Sequence, residues 1–196
     1  SPIDVIEEYT RPARMMINKK VMVKPAMSDL EIIEFEKVGK LEAFNTDGLR
    51  SLIETMKHIP NMKEKTLRYP GHTALIQEYI NKGMFSKDNI ERTSKELFKA
   101  WKLNDDEKEF TLLKVIIESD TDIIKYSLYN EYDAINKNSS MARTTGFTAT
   151  ASINLILNKL FTKKGIFPPE VVGAHKNCLD FIISYLKERS VLLRKI

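Results

Sequence analysis

Short apolar runs that come in pairs across a polar turn constrain this chain more than any other feature. Met15-Met16-Ile17 and Val21-Met22-Val23 flank Asn18-Lys19-Lys20, and two such runs joined by so short a turn pair antiparallel. The pattern returns at larger scale where Phe110 to Ile117 and Ile123 to Tyr132 flank Ser119-Asp120-Thr121-Asp122. Alternation puts Leu113, Val115 and Ile117 on one face of the first run, and Ile124, Tyr126, Leu128 and Tyr132 on one face of the second. Leu30 to Phe35 and Lys40 to Phe44, broken by Val38-Gly39, and then Met62 to Tyr69, are further extended candidates.

Helical spacing fills the intervals. Ser1-Pro2 reads as a helix start, with Ser1 as cap and Pro2 at the first helical position, and Pro12 ends that helix. Leu49, Leu52, Ile53 and Met56 predict a helix after Asp47-Gly48 that Pro60 closes. Thr73 to Lys82 carries Leu75, Ile76, Tyr79 and Ile80 at helical spacing until Gly83. A helix from Ser94 to Leu103 precedes an acidic turn at Asn104-Asp105-Asp106. The longest helix runs from Ser140 to Phe161 and is apolar nearly all round at Ile153, Leu155, Ile156, Leu157 and Leu160, so it is expected to be buried. After a short turn at Pro168-Pro169-Glu170, Cys178 to Leu186 gives a last amphipathic helix before Val191-Leu192-Leu193.

Antiparallel strand pairs with helices interspersed, and no regular βαβ alternation, predict an α+β fold with a largely antiparallel sheet flanked by helices. The seven glycines stand at 39, 48, 71, 83, 146, 165 and 173. None of those spacings is the G-x-G-x-x-G that cradles a pyrophosphate.

Composition narrows the function classes. A chain of 196 residues with 42% hydrophobic and 30% charged residues is long enough for one sizeable core, and one is expected. The net charge of +4 comes from scattered lysines with acidic neighbours, as in Lys63-Glu64-Lys65 and Lys187-Glu188-Arg189. Such mixed runs are solvated surface rather than a nucleic-acid stripe. No apolar run approaches the ~20 residues that cross a bilayer, and Ser1-Pro2-Ile3-Asp4 is unlike a secretion signal. A cytoplasmic setting is therefore expected. A single cysteine, Cys178, excludes an internal disulfide and a multi-cysteine metal site. It reads as a small buried hydrophobe on a helix, and no metal is expected.

Three stretches concentrate chemistry. In Lys65-Thr66-Leu67-Arg68-Tyr69-Pro70-Gly71-His72 a strand delivers Arg68 and Tyr69 to a tight turn, and His72 opens the next helix. An arginine fork suits a carboxylate, a helix start adds oriented amides, and histidine titrates near neutrality. A capped turn with a surface arginine accounts for the same residues. Leu41-Glu42-Ala43-Phe44-Asn45-Thr46-Asp47-Gly48-Leu49-Arg50 holds turn and cap chemistry. Here Thr46 or Asp47 would cap the following helix, and Glu42 would be an exposed strand residue. In Ser140-Met141-Ala142-Arg143-Thr144-Thr145-Gly146-Phe147 the small residues allow close packing or the close approach of a ligand.

Together with Ser1-Pro2 through Tyr9-Thr10-Arg11-Pro12-Ala13, these stretches resemble the C-terminal catalytic domain of saccharopine dehydrogenases and related lysine dehydrogenases, in the same order and at similar spacing. The resemblance covers nearly the whole chain. It implies a glyceraldehyde-3-phosphate dehydrogenase-like C-terminal domain that binds the amino-acid substrate and forms a homodimer, while a Rossmann domain outside this sequence holds NAD or NADP. The implied reaction is hydride transfer from a carbon bearing an amine, followed by imine hydrolysis. It further implies that Arg11 and Arg68 neutralise substrate carboxylates in one shared pocket, with Thr46, Asp47 and Arg143 as further substrate contacts. His72 is the candidate for proton transfer, with Tyr69 and Glu42 behind it. Some saccharopine-specific members carry Arg-Asn before the Pro-Ala, or Phe after the Gly of the Leu-Arg-Tyr turn. Thr10-Arg11 and His72 stand here instead, which leaves saccharopine, lysine and carboxynorspermidine open as substrates. A binding or assembly module that kept the fold and lost the chemistry is the rival class.

Overall fold

The structure is a computed structural model that describes residues 2–104 and 107–196. Ser1, read as a cap, and Asp105 and Asp106 of the acidic turn lie outside them. The chain divides into two compact units, Ser1–Lys102 and Leu103–Ile196. The expected single core is thus replaced by separate clusters in each unit. The apolar residues fall into sets that local pairing satisfies on either side of a polar stretch from Lys102 to Glu109.

The first unit opens with α1 (Pro2–Thr10), followed by the hairpin β1 (Ala13–Ile17) and β2 (Lys20–Lys24). Ile17 pairs with Lys20 across Asn18 and Lys19, whose φ values of 50° and 64° are both left-handed. That is the two-residue turn whose twist matches a hairpin. A second sheet has the order β3 (Glu31–Phe35), β4 (Gly39–Asn45), β5 (Lys65–Arg68), antiparallel throughout. As its middle strand, β4 is buried on both faces from Leu41 to Asn45. Glu42, expected to be exposed, is therefore inside.

Two clusters fill this unit. Met15 and Met16 pack with Leu49 and Ile53, while Tyr9, Phe44 and Ile76 pack with Tyr79, Phe85 and Trp101. The helix expected from Leu49 to Met56 is the single turn α2 (Leu52–Thr55). Arg50 at φ 49° breaks the helical path before it, and the cap position is Ser51 rather than Thr46 or Asp47. Next come α3 (His72–Asn81), which Gly83 stops at φ 68°, and α4 (Ile90–Trp101). The latter starts a turn earlier than the sequence suggests. Ser94 lies inside it and donates its hydroxyl back to the Ile90 carbonyl at 2.6 Å.

In the second unit β6 (Phe110–Glu118) and β7 (Ile123–Glu131) form the expected long hairpin, and β8 (Leu193–Lys195) pairs with β7. The α+β class with antiparallel pairing holds, although the strands are spread over three small sheets. The helix expected from Ser140 to Phe161 is a π-helical turn (Ala142–Gly146) running into α5 (Phe147–Leu157). It ends early because Lys159 takes φ 56°, letting the Leu160 amide donate back to the Leu155 carbonyl at 3.0 Å. Nor is it buried all round. Ala151 and Leu155 are inside, whereas Ile153, Ile156 and Leu157 are exposed, because α7 (Lys176–Glu188) meets only one stripe of the helix. Between them lies α6 (Pro169–Gly173). Cys178 on α7 is fully buried, as a small core residue. Among the described residues no helix is long and apolar enough to cross a membrane.

Candidate functional site

The antiparallel register sets Glu42 of β4 directly opposite Arg68 of β5. The chain then turns at Pro70-Gly71, where Gly71 takes φ 93°, a left-handed conformation that costs glycine little. His72 begins α3 immediately afterwards. Strand, turn and helix start are thereby fixed on one another.

Glu42 locks this corner. Its Oε1 accepts the Gly71 amide at 2.8 Å, and its Oε2 accepts the Thr73 amide at 2.9 Å and the Thr73 hydroxyl at 2.7 Å. Burial is the largest influence on the carboxyl and pushes its pKa up. The hydrogen bonds from Gly71 and Thr73, with the His72 ring nearby, outweigh it and leave the pKa below the usual range. Glu42 is thus an ionised cap supplied from another strand. It occupies the amides of the α3 N-terminus that the sequence offered to a substrate anion.

Behind the corner stands α1. The Tyr9 hydroxyl accepts Arg68 Nε–H at 3.1 Å and lies 2.9 Å from His72 Nε2. The other guanidinium nitrogens of Arg68 donate to the Leu67 carbonyl at 2.8 Å and to Glu8. The His72 ring centre is 5.4 Å from that of Tyr9 and 5.9 Å from that of Trp101. Burial first, then the Arg68 charge, holds the His72 imidazole below its ordinary pKa against an opposing pull from Glu42. Burial likewise raises the Glu8 carboxyl and the Tyr9 phenol, although Arg68 opposes both.

The remaining candidates are placed differently. Arg11 pairs with Glu7 one turn back on α1, and no hydrogen bond joins it to the Arg68 cluster among the described residues. Tyr69 is 60% exposed. Asp47 accepts the Arg14 backbone amide at 3.1 Å and its guanidinium at 2.8 and 2.9 Å, a bidentate pair that holds its carboxyl below the usual range. Thr46 bonds Glu64 and, at 2.9 Å, the Thr66 hydroxyl. Both residues thus tie the loop to the sheet instead of capping α2. Arg143 belongs to the second unit. It donates to the carbonyls of Glu131 and Arg189, each at 3.0 Å, at an open depression of about 520 Å³ shared with Asp133, Asn136, Asn138 and Phe147.

Tyr9, Glu8 and Arg14 escaped the residue-by-residue reading. Tyr9 falls inside a stretch that carried the resemblance, but nothing local distinguishes it, because its partners are 59 and 63 residues away.

The fold and this corner define a class: an α+β domain with antiparallel sheets in which a strand, a Pro-Gly turn and a helix start gather Arg, Tyr, His and Glu. Residues 1–191 match the family model of the saccharopine dehydrogenase C-terminal domain, and the chain belongs to that family. The family is one of oxidoreductases that generally depend on NAD or NADP. The residues present do not fit the dinucleotide itself, since no glycine spacing here cradles a pyrophosphate.

Proposed function

We propose that the chain is the substrate-binding part of an NAD(P)-dependent oxidoreductase acting on the CH–NH group of saccharopine or a related lysine-derived amino acid. The observation that carries this reading is the Arg68–Tyr9–His72 cluster, built at the turn that also bears the resemblance to the family. A guanidinium and a half-buried neutral imidazole on one rigid corner are suited to an anionic substrate with a reacting amine. Glu8, with its carboxyl raised by burial, is the group a substrate carboxylate would displace from Arg68. Arg11 carries a more exposed guanidinium for a further carboxylate. The dinucleotide would be held by a domain outside this sequence, and a cytoplasmic homodimer that functions in lysine metabolism completes the reading.

The test is turnover of saccharopine, lysine and carboxynorspermidine by the full-length protein with each nicotinamide. Arg68→Ala is expected to raise KM for the accepted substrate by at least tenfold, the loss of one charge-assisted contact. Unchanged KM would remove Arg68 from the site.

A second reading is favoured by one specific observation. Arg68 and the α3 amides are already satisfied from within, by Glu8, Tyr9, Leu67 and Glu42. That suits a module that keeps the fold without the chemistry. Binding of saccharopine without turnover by the full-length protein would support it.

A further inference from the structure

We propose that Tyr9 is a positioning residue that fixes His72 as the neutral imidazole protonated at Nδ1, so that His72 meets a ligand as a hydrogen-bond donor to a carboxylate or carbonyl oxygen and not as a base.

The argument begins with hydrogen counting at one oxygen. A guanidinium has only donors, so Arg68 Nε–H must donate to the Tyr9 hydroxyl oxygen across the 3.1 Å contact. The hydroxyl still has its own hydrogen to place. Tyr9 is 2% exposed, so water is not at hand, and among the described residues the acceptor within reach is His72 Nε2 at 2.9 Å. If Nε2 carried a hydrogen, two donors would point at the phenol oxygen and its own hydrogen would be buried without an acceptor. Such groups are rare because desolvation is left uncompensated. The arrangement that satisfies every group is Arg68 Nε–H to Tyr9 oxygen and Tyr9 O–H to His72 Nε2. The imidazole hydrogen then sits on Nδ1.

The charges around the ring agree with a neutral imidazole. Arg68 from β5 and Glu42 from β4 act on it and Tyr9 from α1 bonds it, with Glu8 of α1 paired to Arg68 and the Trp101 ring against it from α4. Burial and Arg68 together hold the ring below its ordinary pKa, against Glu42. The other donors of the corner are engaged, with Gly71 and Thr73 on Glu42 and Arg68 on Glu8, Tyr9 and Leu67. His72 Nδ1 makes no hydrogen bond to any described residue, and the side chain is only half buried. This donor is therefore left for a ligand oxygen. Calling that oxygen a substrate carboxylate rests on the oxidoreductase reading, whereas the tautomer does not.

Long-range proton–nitrogen correlation spectra of the 15N-labelled chain test the proposal, with His72 assigned by its loss in His72→Gln. The expected wild-type spectrum shows a pyrrole-type Nδ1 and a pyridine-type Nε2 above the titration midpoint. Tyr9→Phe is expected to move His72 to the Nε2–H tautomer that a free histidine side chain favours. A protonated Nε2 in the wild type overturns the proposal, as does an unchanged tautomer in folded Tyr9→Phe. The wild-type spectrum decides even if that variant does not fold. Glutarate, a plain dicarboxylate probe, is expected to shift the Nδ1 resonance, and no shift at saturating probe overturns the ligand class. Because the tautomer is read without substrate or turnover, its failure is distinct from failure of the oxidoreductase reading, which the full-length assay addresses.

Discussion

Glu42, Thr46, Asp47 and Thr73 of the first unit are buried, and each has its hydrogen-bonding partners within that unit. In the second unit the contrast is apolar: Leu113, Ile116 and Ile117 on β6 and Ile153, Ile156 and Leu157 on α5 are exposed. The first unit exposes apolar side chains too, at Val21, Met22 and Val23 on β2 and singly elsewhere, as at Ile32 on β3 and Phe98 on α4. A polar group withdrawn from water needs a partner at a fixed angle, so in the first unit the Glu42 carboxylate ties the turn at Gly71 to the start of α3. Apolar surface needs only cover, and a contiguous patch of it marks a place for association. The comparison sets a hydrogen-bonded polar corner in the first unit beside an exposed apolar strand and helix in the second.

The sharpest way to probe the contrast is to damage each unit at its own kind of contact. Leu128→Ala removes a buried side chain packed with Leu186 and Val191. It is expected to cost about 3 kcal/mol, the usual range for such a cavity, read from denaturant unfolding by far-ultraviolet circular dichroism. The chain has one tryptophan, Trp101, which belongs to the first unit. Its fluorescence is expected to shift less than the dichroism in this variant. Equal shifts would show that the two units unfold as one.

In the first unit, Glu42→Gln keeps the shape and removes the charge that accepts three hydrogen bonds. An amide offers one acceptor oxygen where two were used, so at least one of the three donors loses its partner. The expected loss is about 2 kcal/mol, seen in Trp101 fluorescence, with an effect on α3 larger than on β6 or β7 by hydrogen exchange. No loss would mean that the corner is held by packing alone.

These variants also mark what was legible in the sequence. The hairpins at Asn18-Lys19 and Ser119–Asp122 were readable because turn chemistry and two-residue alternation are local properties. The strand–turn–helix around Pro70-Gly71 was readable for the same reason. What could not be read was which distant group answers a polar side chain. Asp47 looks like a helix cap until Arg14, 33 residues away, takes its carboxylate. Glu42 looks like a surface residue until β4 becomes the middle strand of its sheet. For α5 the apolar composition was plain, but composition states a preference for burial without supplying the cover.

Acid should separate the units by titration. His72 has a lowered folded pKa, so the unfolded chain binds the proton more readily. Its contribution is complete above the ordinary imidazole value of about 6.5 and is lost as pH falls from there through the folded pKa. Glu42 and Asp47, also lowered, give contributions present above the ordinary carboxylate range and lost as pH falls below it. Trp101 fluorescence is therefore expected to report a loss of first-unit stability in two stages, the earlier of which disappears in His72→Gln. A single stage confined to the carboxylate range would contradict the neutral, half-buried imidazole.

The smallest expected effect on stability falls on the exposed apolar surface, and there the informative readout is assembly. Ile117 on β6 and Ile156 on α5 are 53% and 64% exposed, so replacing either with Lys removes little buried area. A change within about 0.5 kcal/mol is expected in the unfolding transition. If these faces are where a second copy docks, a lysine on each side of a two-fold contact places like charges opposite one another, and the penalty is counted twice by symmetry. Sedimentation velocity on wild type, Ile117→Lys and Ile156→Lys is then expected to show a dimer weakened tenfold or more in whichever variant lies in the contact. A wild type that remains monomeric at high concentration would sink the dimer. It would leave Ile117 and Ile156 as solvent-exposed surface of the second unit, and the contrast between the two units would then rest on the buried polar contacts of the first.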